Sequence, residues 1–254
     1  MTTQPNVLTD AQLAFYHENG FLVVEDVFAE DELAELRKAA DELLMKSGPI
    51  VRGNPRLEIE PETQDGKLVV RKIEPIIDVI PAFRTLANDE RLTAPAAQIF
   101  GEPAILFEDK LNYKPPHVGS AYPLHQDYSY WTEYTDRLIT VTLYFDDATP
   151  ENGCLRFVPG SHKRGLMERP TGERHIIEWE MKEPGIAVDA PGKAGSLVLF
   201  SCYTAHHSFP NRSDKERRAI LYTYNPASDG DTYPLYKGKH TKLCQEWVKA
   251  YKQR

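Results

Sequence analysis

His125-Gln126-Asp127 sets an imidazole and a carboxylate two residues apart, and His206-His207 supplies further imidazoles later in the chain. In an extended strand alternate side chains share a face, so His125 and Asp127 are expected to point the same way. Side by side they offer two ligands to a divalent metal. A second histidine from another strand would complete a 2-His-1-carboxylate facial triad, the set that leaves cis positions open on non-haem Fe(II). Adjacent residues point to opposite faces, so only one of His206 and His207 can serve. Arg217 and Arg218 follow, and a guanidinium placed there can hold a carboxylate as a bidentate fork. Binding of 2-oxoglutarate requires such a group: its 1-carboxylate and 2-keto oxygen chelate iron, and its 5-carboxylate needs a buried cation.

Such a site needs a scaffold. The chain has 254 residues, enough for one large β-rich or α+β domain with a sizeable core. Its 41% hydrophobic and 27% charged content is an ordinary globular balance. A formal net charge of -8 disfavours nucleic acid and anionic membrane as partners. The polar N-terminus has no apolar signal segment, and no apolar run approaches a membrane span. Cys154, Cys202 and Cys244 are scattered and odd in number, which fits free thiols in a cytoplasmic protein.

Helices come first. Thr9 and Gln12 form a capping box for a helix ending at Gly20, and 21–24 reads as a short strand. Residues 29–46 carry a helical stripe of Leu33, Leu36, Ala40, Leu43 and Leu44. Residues 47–66, rich in Pro, Gly and charge, read as a long loop, either a lid or disordered. Residues 67–73 look extended, and 81–100 helical. From 103 onward strands follow at short spacing: 105–113, 138–146, 155–158, 176–179, 196–203 and 217–224. In the first of these Leu106, Glu108, Lys110 and Asn112 share one face, with Ile105, Phe107, Asp109 and Leu111 opposite, a pattern suited to lining a polar cavity. Residues 241–252 form a last helix. This order predicts an α+β chain: a β-sandwich or barrel core with helices packed on one sheet.

The chain resembles the phytanoyl-CoA dioxygenase family of Fe(II)/2-oxoglutarate-dependent oxygenases. The likeness rests on His125-Gln126-Asp127, on the segment 147–162 with its Asn152-Gly153 turn and Pro159-Gly160-Ser161-His162, and on His206-His207-Ser208 with Asn211 and Arg217. It implies a double-stranded β-helix, a jelly-roll or cupin-like core at 103–225. A helical entry at 1–102 and a tail at 226–254 complete a single domain over 1–254. Carried over by position, the iron ligands are His125, Asp127 and His206, with His207 standing where the family has a small residue. Arg217, with Arg218 as its rival, and Ser208 fall at the 2-oxoglutarate carboxylate. Asn112 and Lys110 fall on the cavity-lining strand that contacts co-substrate or substrate. Lys72 matches a basic residue at the co-substrate site, and Thr142 stands where several relatives have Trp.

The resemblance implies Fe(II) as cofactor, 2-oxoglutarate and O2 as co-substrates, and succinate and CO2 as products. Because Asp127 retains the carboxylate that halogenating relatives lack, hydroxylation of an unactivated C–H bond is the expected outcome. Glu108, Lys110, Tyr128, Tyr130, Trp131 and Arg71 or Lys72 suggest a polar pocket for a small metabolite: an amino acid, a phosphonate or a natural-product intermediate. Two other readings use the same fold: a cupin-like metal enzyme without the keto acid, and a non-catalytic jelly-roll binding protein.

Overall fold

A computed structural model of the chain describes residues 7–167 and 185–252. The expected strand at 176–179 lies outside the described residues. Helix α1 (Asp10–Asn19) starts at the Thr9–Gln12 capping box and ends at Gly20, whose φ is 82°. Strand β1 (Phe21–Val24) and helix α2 (Glu30–Lys46) follow.

The segment 47–66 departs from the expected loop. Its second half is strand β2 (Leu57–Gln64), paired antiparallel with β3 (Lys67–Ile73). Asp65 (φ 51°) and Gly66 (φ 75°) form the two-residue turn, a conformation that Asp-Gly favours. Glu58, Glu60, Glu62 and Pro61 lower the strand propensity of β2 and hide it from a composition reading. The expected helix at 81–100 is two helices, α3 (Pro81–Leu86) and α4 (Glu90–Phe100), because the Asp89 carboxylate caps a new start on the Arg91 amide.

The remaining strands are β4 (Ala104–Asn112), β5 (Tyr122–His125), β6 (Ile139–Tyr144), β7 (Leu155–Phe157), β8 (Val188–Ala190), β9 (Leu197–Ser201), β10 (His206–Ser208) and β11 (Ala219–Pro226). They form a seven-stranded sheet of order β1-β9-β6-β11-β4-β3-β2 and a four-stranded sheet of order β5-β10-β7-β8. The closing helix α5 spans Tyr233–Lys252, starting well before the expected 241. Among the described residues no helix is long and apolar enough to cross a membrane, and all three cysteines are free thiols.

Period-two alternation splits the large sheet into two faces. Leu197 and Leu199, Val141 and Leu143, and Ile220, Tyr222 and Tyr224 pack against Leu33, Ala40 and Leu43 of α2, Phe83 of α3 and Leu92 of α4. The alternate residues Val198, Phe200, Tyr144, Ala219 and Leu221 pack toward Phe157 of the smaller sheet. The inner face turns polar along three rungs set by the strand registers: Asn112–Ala219–Tyr144, Lys110–Leu221–Thr142, and Glu108–Thr223–Thr140.

The expected alternation in β4 holds from Asn112 to Glu108 and reverses at Phe107, so that Leu106, expected beside Glu108, packs against the outer core. The register to β11 jumps from Glu108 to Leu106, leaving Phe107 as the extra residue of a bulge. Instead of joining the apolar outer face, Phe107 packs with Trp131, Tyr134 and Tyr236, at ring distances of 5.3, 5.2 and 4.7 Å.

Gly195 ties β9 to the N-terminal crossing, its carbonyl accepting from the amides of Val27 and Phe28. Its φ is +89°, and a Cβ there would lie 2.3 Å from the Phe28 carbonyl oxygen. Gly195→Ala is therefore expected to lower stability by about 2–4 kcal/mol, from left-handed strain plus a backbone clash, read as a lower urea midpoint at unchanged m.

Candidate metal centre and its cavity

His125 ends β5, and Asp127 opens a short 3-10 turn (Asp127–Tyr130), so the pair does not sit in one strand as expected. The turn still brings the carboxylate back beside the ring, with Asp127 Oδ1 lying 3.5 Å from His125 Nε2. β10 runs antiparallel to β5 with His206 opposite His125, and the same oxygen is 3.8 Å from His206 Nε2. The three ligand atoms lie within 4.8 Å of one another, and among the described residues these form the one such cluster. His207 faces away from it, its ring packed edge-on against Phe209 at 5.2 Å.

Each imidazole is oriented from behind. His125 Nδ1 lies 2.8 Å from the Pro123 carbonyl oxygen, and His206 Nδ1 lies 2.9 Å from that of Thr204. A carbonyl accepts only, so Nδ1 carries the proton in both rings and the Nε2 lone pairs converge. Burial, reinforced by the neighbouring His125, lowers the His206 pKa to about 3. Burial alone would raise that of Asp127, but His206, His125 and Lys110 hold it well below the ordinary carboxylate range. Two imidazoles with converging Nε2 lone pairs and a carboxylate are the donor set a divalent metal needs. Thr140 Oγ1 donates to Asp127 Oδ2 at 3.3 Å and contacts Thr223 Oγ1 at 2.9 Å, which steadies the carboxylate.

The triad opens into a cavity of about 800 Å³. Ser208, Arg217, Asn112 and Thr142 line it, as do Lys72 and Lys110. Arg217 is buried, with Nη2 donating to the Gly153 carbonyl at 3.0 Å. Arg218, on the opposite face, grips Asp146 through Nε (2.9 Å) and Nη2 (3.0 Å), outside the cavity. Asn112 Oδ1 and Thr142 Oγ1 are buried without a hydrogen-bond partner among the described residues, the pattern of a site built for a polar ligand. Arg71 lines the cavity too, pairing with Glu58 at 3.0 Å and bonding Ser120 and the Ala121 carbonyl.

Another wall comes from α5, which the sequence reading left out of the site. Tyr236, Lys239, His240 and Leu243 line the cavity. The Tyr236 hydroxyl lies 2.6 Å from Glu74 Oε1 and 2.8 Å from Glu108 Oε1. One phenolic proton cannot serve both carboxylates at once, and burial, opposed by Lys110, raises the Glu108 pKa to about 7. Lys72 pairs with Glu74 at 3.0 Å, and Lys110 with Glu108 at 2.8 Å. Of the aromatic residues expected at the pocket, Trp131 and Tyr130 line the cavity, Trp131 as part of the Phe107 cluster and Tyr130 beside His125 at 5.9 Å, whereas Tyr128 packs on Tyr203 at 4.8 Å.

The sequence model of the phytanoyl-CoA dioxygenase (PhyH) family matches residues 16–219. The chain is 32% identical over 229 residues to methylphosphonate hydroxylase of Gimesia maris, covering 90% of this chain and 85% of that protein. It is 28% identical over 247 residues to 2-aminoethylphosphonate dioxygenase of an uncultured bacterium, covering 94% and 90%. A crystal structure of EctD from S. alaskensis with 2-oxoglutarate and 5-hydroxyectoine superposes with a TM-score of 0.71 at 28% identity, covering 87% of this chain and 77% of that one.

Proposed function

Because this chain belongs to the phytanoyl-CoA dioxygenase family, we propose that it is an Fe(II)/2-oxoglutarate-dependent dioxygenase that hydroxylates a C–H bond of a small polar metabolite, with organophosphonates as the first class to test. We read its two sheets as a double-stranded β-helix within one domain over 1–254. The observation that carries the activity is one cavity with the His125–Asp127–His206 cluster on its wall and the buried Arg217 guanidinium beyond it. A cupin-like metal enzyme without the keto acid has no use for that guanidinium.

Fe(II) held at the triad would supply the oxidative decarboxylation of 2-oxoglutarate by O2, with succinate, CO2 and the hydroxylated substrate as products. The chain's own residues do the positioning. His125, Asp127 and His206 would hold the metal, the two imidazole rings aimed by the Pro123 and Thr204 carbonyls. Arg217 and Ser208 take the distal carboxylate of the keto acid, and Asn112 and Thr142 supply polar atoms along its length. Lys72, Lys110, Glu74, Glu108 and Tyr236 form the substrate chamber, whose alternating charges suit an anionic or zwitterionic molecule better than a long acyl chain.

The test is succinate release from 2-oxoglutarate with Fe(II) and ascorbate, across a panel of alkyl- and aminoalkylphosphonates, amino acids and ectoine. Substrate-stimulated succinate with a matching hydroxylated product is the expected result. A folded, iron-loaded protein that releases no succinate with any panel member would favour the binding-protein reading. Lys110→Met is expected to leave keto-acid binding intact while cutting product formed per succinate by about tenfold, as the substrate loses one charge-assisted contact worth roughly 1.5–3 kcal/mol.

A further inference from the structure

Behind Ser208 lies a lysine that the proposed mechanism leaves unused. Lys114 is 1% exposed, an unusual state for this side chain. Its Nζ donates to Ser208 Oγ at 2.8 Å and to the Phe209 carbonyl. Its backbone is bonded both ways to that of Arg217, at 3.1 and 3.2 Å. Gly153 sits between the two side chains: its carbonyl accepts from Arg217, and a Cβ on it would lie 3.0 Å from Lys114 Nζ. Gly119 is pressed against the same lysine, where a Cβ would meet Lys114 Cγ at 2.5 Å. Both glycines leave room for a buried amine.

The charges around it do not balance. Arg217 and Arg71 face Lys114, and Tyr122 lies with its ring centroid 5.6 Å from Nζ. The acids that face it are Glu60 and the Cys154 thiol. Glu60 is already engaged by Arg71 and Ser120, and burial raises the Cys154 pKa to about 11. Among the described residues neither Lys114 nor Arg217 has a carboxylate at ion-pair distance. A guanidinium keeps its proton, so in the empty site the amine is the group that gives one up.

We propose that Lys114 is a positioning residue for the diacid: it holds Ser208 from behind and takes up a proton as the distal carboxylate of 2-oxoglutarate settles against Arg217 and Ser208. By accepting from Lys114, the Ser208 oxygen is left with its own proton free to turn to the carboxylate. The arriving anion supplies the counter-charge that the two cations lack. The proton comes from solvent, and no bond other than N–H forms. Burial, then Arg217 and Arg71, lowers the Lys114 pKa to about 6 in the empty site, so the amine is neutral above that pH and gains a proton on binding.

This inference rests on the proposed activity and is tested by calorimetry of 2-oxoglutarate binding to the oxygen-free Fe(II) protein, in buffers of different ionisation heat. At pH 7.5 the wild type is expected to take up about one proton per diacid, and its affinity to weaken as pH rises above 6, by up to about tenfold per pH unit. Lys114→Met is expected to lose both the uptake and the pH slope, and to raise KM for the keto acid more than it lowers kcat. The wild-type measurement stands even if the variant does not fold. Tight binding with no proton uptake and no pH slope overturns this inference alone. Failure to bind 2-oxoglutarate at any pH overturns the proposed activity and this inference together.

Discussion

His125→Ala and Asp127→Ala are each expected to reduce succinate release below about one-thousandth of wild type while leaving the fold in place. Loss of a group that merely orients a metal ligand costs 10–100-fold, and a ligand itself matters more. With one of three gone, the remaining two Nε2 or carboxylate atoms no longer cap a face of the metal. The fold should survive because neither side chain belongs to the apolar clusters that join the sheets and helices. The measurement is bound iron per chain beside turnover, with thermal unfolding as the control. His207→Ala is the discriminating partner: its ring packs on Phe209 outside the cluster, so the variant should retain its iron. Full iron binding and turnover in Asp127→Ala would sink the metal assignment.

Arg217→Met is the second large effect. It is expected to raise KM for 2-oxoglutarate by at least about 100-fold, because one partner of a buried ion pair is removed, an effect of roughly 3–5 kcal/mol. Metal content should hold. Arg217→Lys should recover only a fraction of the loss, since it restores charge without the planar fork. Arg218→Ala supplies the contrast. Its guanidinium serves Asp146 and approaches Asp41 at 3.4 Å, so the variant should lose about 1–3 kcal/mol of stability with KM for the keto acid unchanged. The reverse pattern, KM moved by Arg218 and not by Arg217, would reassign the carboxylate site.

Much of the site was legible along the chain because metal ligation needs particular atoms and those residue types are scarce. His125-Gln126-Asp127, the His206-His207 pair and the Arg217-Arg218 pair announce themselves by type and order. Period-two alternation also marked Glu108, Lys110 and Asn112 as cavity residues, since a strand cannot hide three polar side chains on one face of a core unless that face lines something. The helix caps at Thr9 and Gly20 were equally local, each set by hydrogen bonds within one turn.

Tertiary structure decided what a local pattern leaves symmetric or silent. Of His206 and His207 only the first joins the ligand cluster, and of Arg217 and Arg218 only the first lines the cavity; the position of each strand between its neighbours selects which. The bulge at Phe107 depends on how β4 and β11 register, which neither strand encodes alone. The acidic strand β2 exists because β3 accepts it and because Arg71 offsets the charge of Glu60 while Ser120 donates a hydrogen bond to it. In α5, Pro234 and Gly238 conceal the first turns, which are held by Tyr236 reaching Glu74 and Glu108. Lys114 is the extreme case: its residue type argues for solvent, and only long-range packing against Gly119, Gly153 and Ser208 puts it inside. The physical reason is the same throughout. Residue type and spacing limit what a side chain can do, whereas burial, and the choice of neighbours that sets charge and orientation, is a property of distant segments brought together.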